Sequence, residues 1–208
     1  SLGRIGDNGI VVASETCAFD VIGAEYIRDV KPGEVIRIDL EGITSERYAT
    51  TCDQSMCSME YVYFARPDSD VEGINVHQAR KNCGRILAQE APIEADIVVG
   101  VPDSGLSAAI GYAEEANIPF EIGMVKNKYI GRTFIQPSQA LREQGVKMKL
   151  SAVRSIVKDK RVVLIDDSIV RGTTSRRMVD MLREAGAKEV HVRIASPEIK
   201  FPCFYGVD

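Results

Sequence analysis

Residues 162–175 read VVLIDDSIVRGTTS, and this stretch decides the fold. It begins with a run of branched apolar residues, which is typical of a strand that is buried on both faces. Two adjacent carboxylates, Asp166 and Asp167, follow the run directly, and Gly172 then precedes three hydroxyl side chains. Apolar side chains recur at intervals of three and four over residues 178–185, which indicates a helix. The sequence therefore predicts a strand, a loop and a helix in succession.

The same succession occurs earlier in the chain. Residues 97–101 form an apolar run that leads directly into a PDSG turn at residues 102–105, and helical periodicity follows over residues 106–116. A further strand is expected over residues 189–194, after a glycine at residue 186 that suits a helix C-cap. Repeated strand-loop-helix units predict an α/β fold with a parallel sheet that binds its ligands at the C-terminal strand ends.

The composition excludes several classes of protein. The 208 residues are 45% hydrophobic and 27% charged, with 26 Lys+Arg against 30 Asp+Glu, so one or two ordinary globular domains are expected. A net charge of -4 argues against a broad basic surface for nucleic acid. No apolar stretch approaches the roughly 20 residues that span a bilayer, and no signal-peptide layout occurs, so we expect a cytoplasmic protein without a membrane partner.

The cysteines are odd in number and widely spread, which argues against a disulfide scaffold. Reduced or metal-bound thiols are expected instead. We interpret Cys17 and Cys83 as small core residues because both lie at helical positions. Neither His77 nor His191 lies in a motif, so both histidines are interpreted as structural or solvent-facing, and Cys52 receives no role.

The turn after Asp166 and Asp167 has the chemistry of a phosphate site. Backbone N–H groups at a helix N-terminus are unsatisfied and face anions together with the positive end of the helix dipole. Carboxylates beside such a turn can hold sugar hydroxyls or Mg²⁺, which prefers oxygen ligands. The structural alternative is that the aspartates bind no ligand and only cap the following helix. A nucleotide-binding loop of the form G-x-x-x-x-G-K-[ST] is absent from the chain.

Residues 126–160 concentrate much of the positive charge of the chain. Charge runs are usually solvated faces, but long polar segments between structural elements also serve as lids or binding elements. The position of this segment between two candidate phosphate loops favours a lid.

Four motifs in order resemble one family: VPDSG at residues 101–105, KNKYIGRTFIQPSQ at 126–139, DDSIVRGTTS at 166–175 and SPEIKFPCFYG at 196–206. The third motif is similar to the phosphoribosyl pyrophosphate (PRPP) motif of type I phosphoribosyltransferases. Together the motifs resemble those of the amidophosphoribosyltransferase family. The resemblance implies a purine-synthesis transferase in which ammonia released from glutamine displaces pyrophosphate from PRPP and gives 5-phosphoribosylamine.

The resemblance also implies roles for individual residues. Mg²⁺ would be bound near Ser104, Asp166 and Asp167. Lys126 and Arg132 would act catalytically from the closing loop, with Arg132 neutralising the departing pyrophosphate, and Tyr129 would stack or hydrogen-bond there. The implied PRPP-binding residues are Asp103, Ser104, Gly105, Asp166, Asp167, Ser168, Arg171, Gly172, Thr173 and Thr174.

Residues 1–45 resemble the end of the N-terminal nucleophile glutaminase domain of this family, through GRIGDNGIVVASETCAFD and VKPGEV. Here the pattern predicts short strands and a helix over residues 17–27. We therefore expect an α+β remnant at residues 1–45 and a phosphoribosyltransferase domain at residues 46–208, truncated at both ends of the chain. The family releases ammonia with an N-terminal cysteine, whereas this chain begins with Ser1, so at most an ammonia-dependent reaction is expected.

The resemblance extends to cofactors and partners. Cys57 and Cys203 match two of the four ligands of the family's 4Fe-4S cluster, and the other two would come from a C-x-x-C beyond Asp208, so an incomplete cluster is expected. Purine nucleotides are implied as feedback inhibitors, and the parent protein is expected to be a homo-oligomer.

Two alternatives remain open at this point. A purine or orotate salvage phosphoribosyltransferase would use a free base in place of ammonia. A PRPP-sensing regulator would bind the ligand on the same fold without turnover.

Overall fold

The computed structural model describes residues 1–49, 52–127, 150–170, 172–201, 203 and 205. The chain forms two compact units, Ser1–Ala79 and Arg80–Asp208. Within the described ranges, no helix is both long enough and apolar enough to cross a membrane.

The first unit is built from short antiparallel strands. Strands β1 (Leu2–Ile5), β2 (Gly9–Val12) and β3 (Glu25–Arg28) form one sheet with β1 in the middle, and helix α1 (Cys17–Ile22) connects β2 to β3. Two hairpins follow, separated by a π-helical turn at Glu60–Phe64. They are formed by β4 (Glu34–Asp39) with β5 (Gly42–Arg47) and by β6 (Asp70–Val71) with β7 (Ile74–Asn75).

Helix α1 is shorter than the sequence predicts. The expected helix over residues 17–27 ends at Ile22, because Gly23 adopts a left-handed conformation with φ 67°. The Ala24 N–H then donates to the Phe19 carbonyl at 2.9 Å, which closes the helix end. Residues 25–28 form β3 beside β1, so the pairing of strands overrides the helical pattern there.

Glu15 and Thr16 connect the N-terminal segment to residues 66–70. The Glu15 carboxylate accepts hydrogen bonds from the Arg66 N–H and the Ser69 hydroxyl, both at 2.8 Å. The Thr16 hydroxyl accepts a bond of 2.7 Å from the Asp70 N–H. These contacts join residues on either side of the predicted domain boundary at 45/46, which stays a prediction.

The second unit contains the predicted parallel sheet. Strands β8 (Ile97–Gly100) and β12 (Glu189–Ile194) both run parallel to β11 (Arg161–Asp166), which lies between them. A short antiparallel pair, β9 (Met124–Lys126) and β10 (Leu150–Ala152), accompanies this sheet. The helices are α2 (Val76–Glu90), which begins in the last residues of the first unit, α3 (Leu106–Ala116), α4 (Arg154–Val157) and α5 (Thr173–Glu184).

The side chains of β11 alternate between two apolar layers. Val162 and Leu164 pack with Met178 and Leu182 of α5. Val163 and Ile165 pack into a second cluster, which includes Tyr112 and small residues of α3. A central strand that is buried on both faces, with helices on each side, is the expected three-layer α/β arrangement. The parallel sheet flanked by helices that was predicted for this part of the chain is thereby confirmed.

Helices α2 and α3 cross at glycines. A Cβ atom at Gly84 would collide with the Ala108 carbonyl of α3, and one at Gly111 would collide with the Lys81 carbonyl of α2. Only glycine permits this close approach of two backbones. This close crossing fixes the position of α3 and therefore also that of the loop that precedes α3.

Candidate functional site

The ends of β8 and β11 are fastened to each other by their backbones. The Val101 N–H donates to the Ile165 carbonyl at 2.9 Å, one residue beyond the end of β8. Gly105 also lies against this carbonyl, because an ideal Cβ at residue 105 would be 2.6 Å from the Ile165 oxygen. The turn at residues 102–105 and the carboxylates that follow Ile165 therefore share one edge of the sheet, as the sequence predicts.

Asp166 and Asp167 form a buried carboxylate pair at this edge. Only 8% of the surface of Asp166 and 7% of that of Asp167 is exposed. The Asp167 N–H donates to Asp166 Oδ1 at 2.9 Å, and the Ser168 hydroxyl donates to Asp167 Oδ1. Burial, together with the negative charge of Asp167, raises the pKa of Asp166 to about 6. A ligand that brings positive charge, such as a metal ion, would favour the ionised form of the pair.

Helix α5 begins at Thr173, six residues after Asp167. The N-cap residue of α5, Gly172, adopts a left-handed conformation with φ 72° and, as a glycine, has no side chain with which to cap the helix. In the described part of the chain, the hydroxyls of Thr173, Thr174 and Ser175 have no hydrogen-bond partner. Uncapped N–H groups, three hydroxyls and the helix dipole together form an anion site that suits a phosphate group.

Ser175 is a member of this turn that the family resemblance does not assign. It is half-buried in the first turn of α5, next to Thr173 and Thr174. The signal was present in the sequence, since the third hydroxyl of the GTTS run lies within one helical turn of Gly172.

The turn at residues 102–105 is a second loop with free donors. Among the described residues, neither the N–H nor the hydroxyl of Ser104 has a hydrogen-bond partner. The Gly105 N–H, by contrast, is used internally, since it donates to the Val101 carbonyl at 2.9 Å. Lys126, at the end of β9, reaches this turn: its Nζ lies 2.8 Å from Asp103 Oδ2. Sequence reasoning did not foresee this contact.

Most of the predicted site residues come together at this edge of the sheet. Two predicted site residues, Arg132 and Arg171, lie outside the described residues. Tyr129 and most of the predicted lid also lie outside them. Cys57 and Cys203 are both exposed, and they belong to different units. The other predicted site residues lie at or after the ends of β8, β9 and β11, and their role stays a prediction: Asp103, Ser104, Gly105, Lys126, Asp166, Asp167, Ser168, Gly172, Thr173 and Thr174.

The donor chemistry of the carboxylate pair fits Mg²⁺. Asp166 and Asp167 offer carboxylate oxygens, which are hard ligands of the kind that Mg²⁺ shares with substrate phosphates. The described residues contain no group of three or more His, Cys, Asp or Glu side chains that could hold a metal by themselves. A site of two carboxylates that is completed by substrate oxygens agrees with both observations. Two exposed thiols, by contrast, supply only half of a four-thiolate iron-sulfur ligand set.

Comparison with known proteins agrees with this geometry. The family model described as the phosphoribosyl transferase domain matches residues 74–196, which include the turn at residues 102–105, the carboxylate pair and the start of α5. Among curated proteins, the chain is 68% identical to the amidophosphoribosyltransferase of Bacillus subtilis (strain 168) and 58% identical to that of Staphylococcus aureus (strain MRSA252). The similarity covers the whole chain but only 44% and 42% of these relatives, so the chain spans less than half of their length.

A solved structure is similar over the same range. It is described as glutamine phosphoribosylpyrophosphate (PRPP) amidotransferase from B. subtilis complexed with ADP and GMP. The TM-score is 0.91 at 68% identity, over 99% of this chain and 45% of that one. Because the family model matches more than half of the chain, the chain belongs to the phosphoribosyltransferase domain family.

Proposed function

We propose that this chain is the PRPP-binding part of an amidophosphoribosyltransferase, a transferase of purine synthesis. In the proposed reaction, ammonia derived from glutamine displaces pyrophosphate from C1 of PRPP and gives 5-phosphoribosylamine. The observation that carries the proposal is the contact between the Ser104 turn and β11 at Ile165, directly before the carboxylates Asp166 and Asp167. The similarity to amidophosphoribosyltransferases along the whole of this chain supports ammonia as the nucleophile.

The three parts of PRPP match the three parts of this edge. The 5-phosphate fits the uncapped N-terminus of α5, where the hydroxyls of Thr173, Thr174 and Ser175 supplement the backbone donors. The ribose hydroxyls would donate to the carboxylates of Asp166 and Asp167. The pyrophosphate fits the turn of Ser104, whose N–H and hydroxyl are available as donors, with the Lys126 ammonium nearby.

Catalysis in this proposal is mainly electrostatic. The bond between C1 and the pyrophosphate oxygen breaks as the ammonia nitrogen bonds to C1, the leaving group takes the electron pair, and the nitrogen then releases one proton to water. The protein must neutralise the charge that develops on pyrophosphate and orient the two reactants. Lys126, and Arg132 outside the described residues, are proposed to supply positive charge. When bound, Mg²⁺ would add further neutralisation of the phosphate oxygens.

The remaining partners are proposed from the relatives and the motifs. Purine nucleotides are proposed as ligands because the similar B. subtilis enzyme was solved in complex with ADP and GMP. Glutamine as the ammonia source, a homo-oligomeric parent protein and a cytoplasmic location are proposed on the same similarity. Cys57 and Cys203 are proposed as two ligands of a 4Fe-4S cluster whose other ligands this chain does not contain.

A pyrophosphate-release assay tests the proposal. The chain is mixed with PRPP, Mg²⁺ and ammonium, and released pyrophosphate is measured for the wild type, Asp166→Asn and a control, Asp159→Asn. Asp159 precedes β11 at the other end of that strand, where its N–H donates to the Gly186 carbonyl. We expect ammonium-dependent release that falls at least tenfold in Asp166→Asn and is unchanged in Asp159→Asn.

The two alternative functions give different results in the same assay. Release that depends on a free purine or orotate instead of ammonium would identify a salvage transferase. Tight binding of PRPP without release under any condition would identify a regulator. Either outcome would overturn the proposed function.

A further inference from the structure

An ion pair occupies the mouth of the proposed pyrophosphate turn. Lys126 Nζ and Asp103 Oδ2 are 2.8 Å apart, and the two side chains are 55% and 72% exposed. Asp103 follows β8 and Lys126 ends β9, so the pair joins two segments of the second unit. Asp103 is also the residue directly before Ser104, whose donors are available to a ligand.

The Asp103 carboxylate cannot bind a phosphate group directly. An ionised carboxylate is only a hydrogen-bond acceptor, and so are phosphate oxygens. Close approach of a diphosphate to this side chain is therefore repulsive. The adjacent Lys126 ammonium, with three donors and a positive charge, is the group that would attract the diphosphate.

We propose that Asp103 acts as a competitor of pyrophosphate for Lys126. In the ligand-free protein, the carboxylate neutralises the ammonium and holds it at the mouth of the turn. When a diphosphate binds beside Ser104, the Lys126 ammonium exchanges its partner and moves from the carboxylate to the phosphate oxygens. This inference rests on the proposed function, because it takes the Ser104 turn as the pyrophosphate subsite.

Moving the Lys126 ammonium from Asp103 to the ligand costs little free energy. Exposed ion pairs are weak because water and salt screen both charges and because two flexible side chains must be ordered. A diphosphate carries several negative charges, whereas Asp103 carries one. Once the turn has positioned the diphosphate, it therefore attracts the Lys126 ammonium more strongly than Asp103 does. The carboxylate then lowers ligand affinity by the modest strength of the surface pair, which corresponds to about two- to fivefold. Weaker retention of pyrophosphate also favours its release as a product.

Binding of inorganic pyrophosphate by the 208-residue chain tests the exchange. Isothermal titration calorimetry in Mg²⁺ would compare the wild type with Asp103→Asn, Lys126→Met and the double variant. A matched control is Asp68→Asn, which removes the carboxylate of another exposed ion pair, with Arg66 Nη2 at 2.6 Å. We expect Asp103→Asn to bind about two- to fivefold more tightly, Lys126→Met to bind more weakly, and Asp68→Asn to match the wild type.

The double variant distinguishes partner exchange from simple repulsion. If Asp103 acts mainly through Lys126, adding Asp103→Asn to Lys126→Met tightens binding by less than Asp103→Asn does in the wild type. Equal tightening in both backgrounds would overturn the exchange, as would weaker or unchanged binding by Asp103→Asn alone. If the wild type binds pyrophosphate and only these comparisons fail, the proposed function stands without the inference. Failure of every variant to bind pyrophosphate would overturn both.

Discussion

Gly105 packs its backbone against the carbonyl of Ile165, and this contact places the turn after β8 beside the carboxylates that follow β11. The Gly105 conformation is ordinary, with φ -77°, so the position demands glycine for lack of space and not for backbone freedom. A close approach of this kind connects two loops that are about 60 residues apart in the sequence.

Replacing this glycine is expected to damage both stability and function. In Gly105→Ala, the new methyl group would lie 2.6 Å from the Ile165 oxygen, so the two loops must separate. We expect a loss of about 1–3 kcal/mol in the free energy of unfolding, measured by urea denaturation, and a large loss of pyrophosphate release. The control is Gly73→Ala in the first unit, where φ is 78° and no atom lies near the new Cβ. That variant should cost about 1–2 kcal/mol through its left-handed backbone and leave release unchanged, whereas normal release by Gly105→Ala would contradict the packing argument.

At the crossing of α2 and α3, helix propensity and packing predict opposite changes in the free energy of unfolding. Helix propensity alone would make Gly111→Ala stabilising by about 1 kcal/mol. The new methyl group would collide with the Lys81 carbonyl, so we expect destabilisation of about 1–3 kcal/mol instead. Gly84→Ala should behave in the same way, because its Cβ would meet Ala108 across the same crossing. A rise in the melting temperature of either variant would show that the helices separate at little cost.

The difference in stability between Asp166→Asn and the wild type should depend on pH. The folded-state pKa of Asp166 is raised from 3.8 to about 6, so the folded protein binds this proton more tightly than the unfolded chain does. The wild type therefore loses stability as pH rises from about 4 to about 6, and the full penalty, of about 1–3 kcal/mol, is present above pH 6.

Asparagine removes this penalty and can still accept the hydrogen bond from the Asp167 N–H. We expect Asp166→Asn to be more stable than the wild type at pH 7.5 and nearly equal to it near pH 3, where the aspartate is neutral in both states. Melting curves at the two pH values measure the difference. If the variant is less stable than the wild type at pH 7.5, the buried charge of Asp166 does not destabilise the folded protein.

Glu15 is expected to stabilise the first unit. Glu15→Ala leaves the Arg66 N–H and the Ser69 hydroxyl without their acceptor, and Ser69 is fully buried. We expect a loss of about 1–3 kcal/mol, measured as a shift in the chemical unfolding of the chain. Glu41→Ala, at the tip of the β4–β5 hairpin, is the matched control and should change stability little, and equal effects in the two variants would argue against a role for Glu15.

The sequence predicted those parts of the fold that local signals determine. Helix α3 has the bounds that were predicted, because Asn117 ends it in a left-handed conformation beyond the last apolar position. Gly186 follows α5 with φ 99°, as its position in the pattern indicated. Strand β11 was evident because an apolar run directly before two aspartates has few other interpretations.

The remaining features depend on contacts between distant residues. The pattern over residues 17–27 suits a helix, and only the pairing of β3 with β1 explains why the helix stops at Ile22. The ion pair between Asp103 and Lys126 joins two loops whose residues show no periodic relationship. The raised pKa of Asp166 likewise requires knowledge of its burial, because an aspartate at a strand end can also be fully hydrated.

The backbone of β11 has a consequence for the changes in length that this chain can tolerate. The Asp166 carbonyl accepts a bond of 3.0 Å from Ala195, and the Asp167 carbonyl accepts one of 2.9 Å from Ser196, so the ladder with the last strand continues past both carboxylates. An inserted or deleted residue within β11 would turn each carboxylate toward the opposite helix layer, since side chains alternate along a strand. A single-residue insertion or deletion within β11 is therefore expected to separate the two carboxylates from the turn after β8, so the length of this strand is tightly constrained.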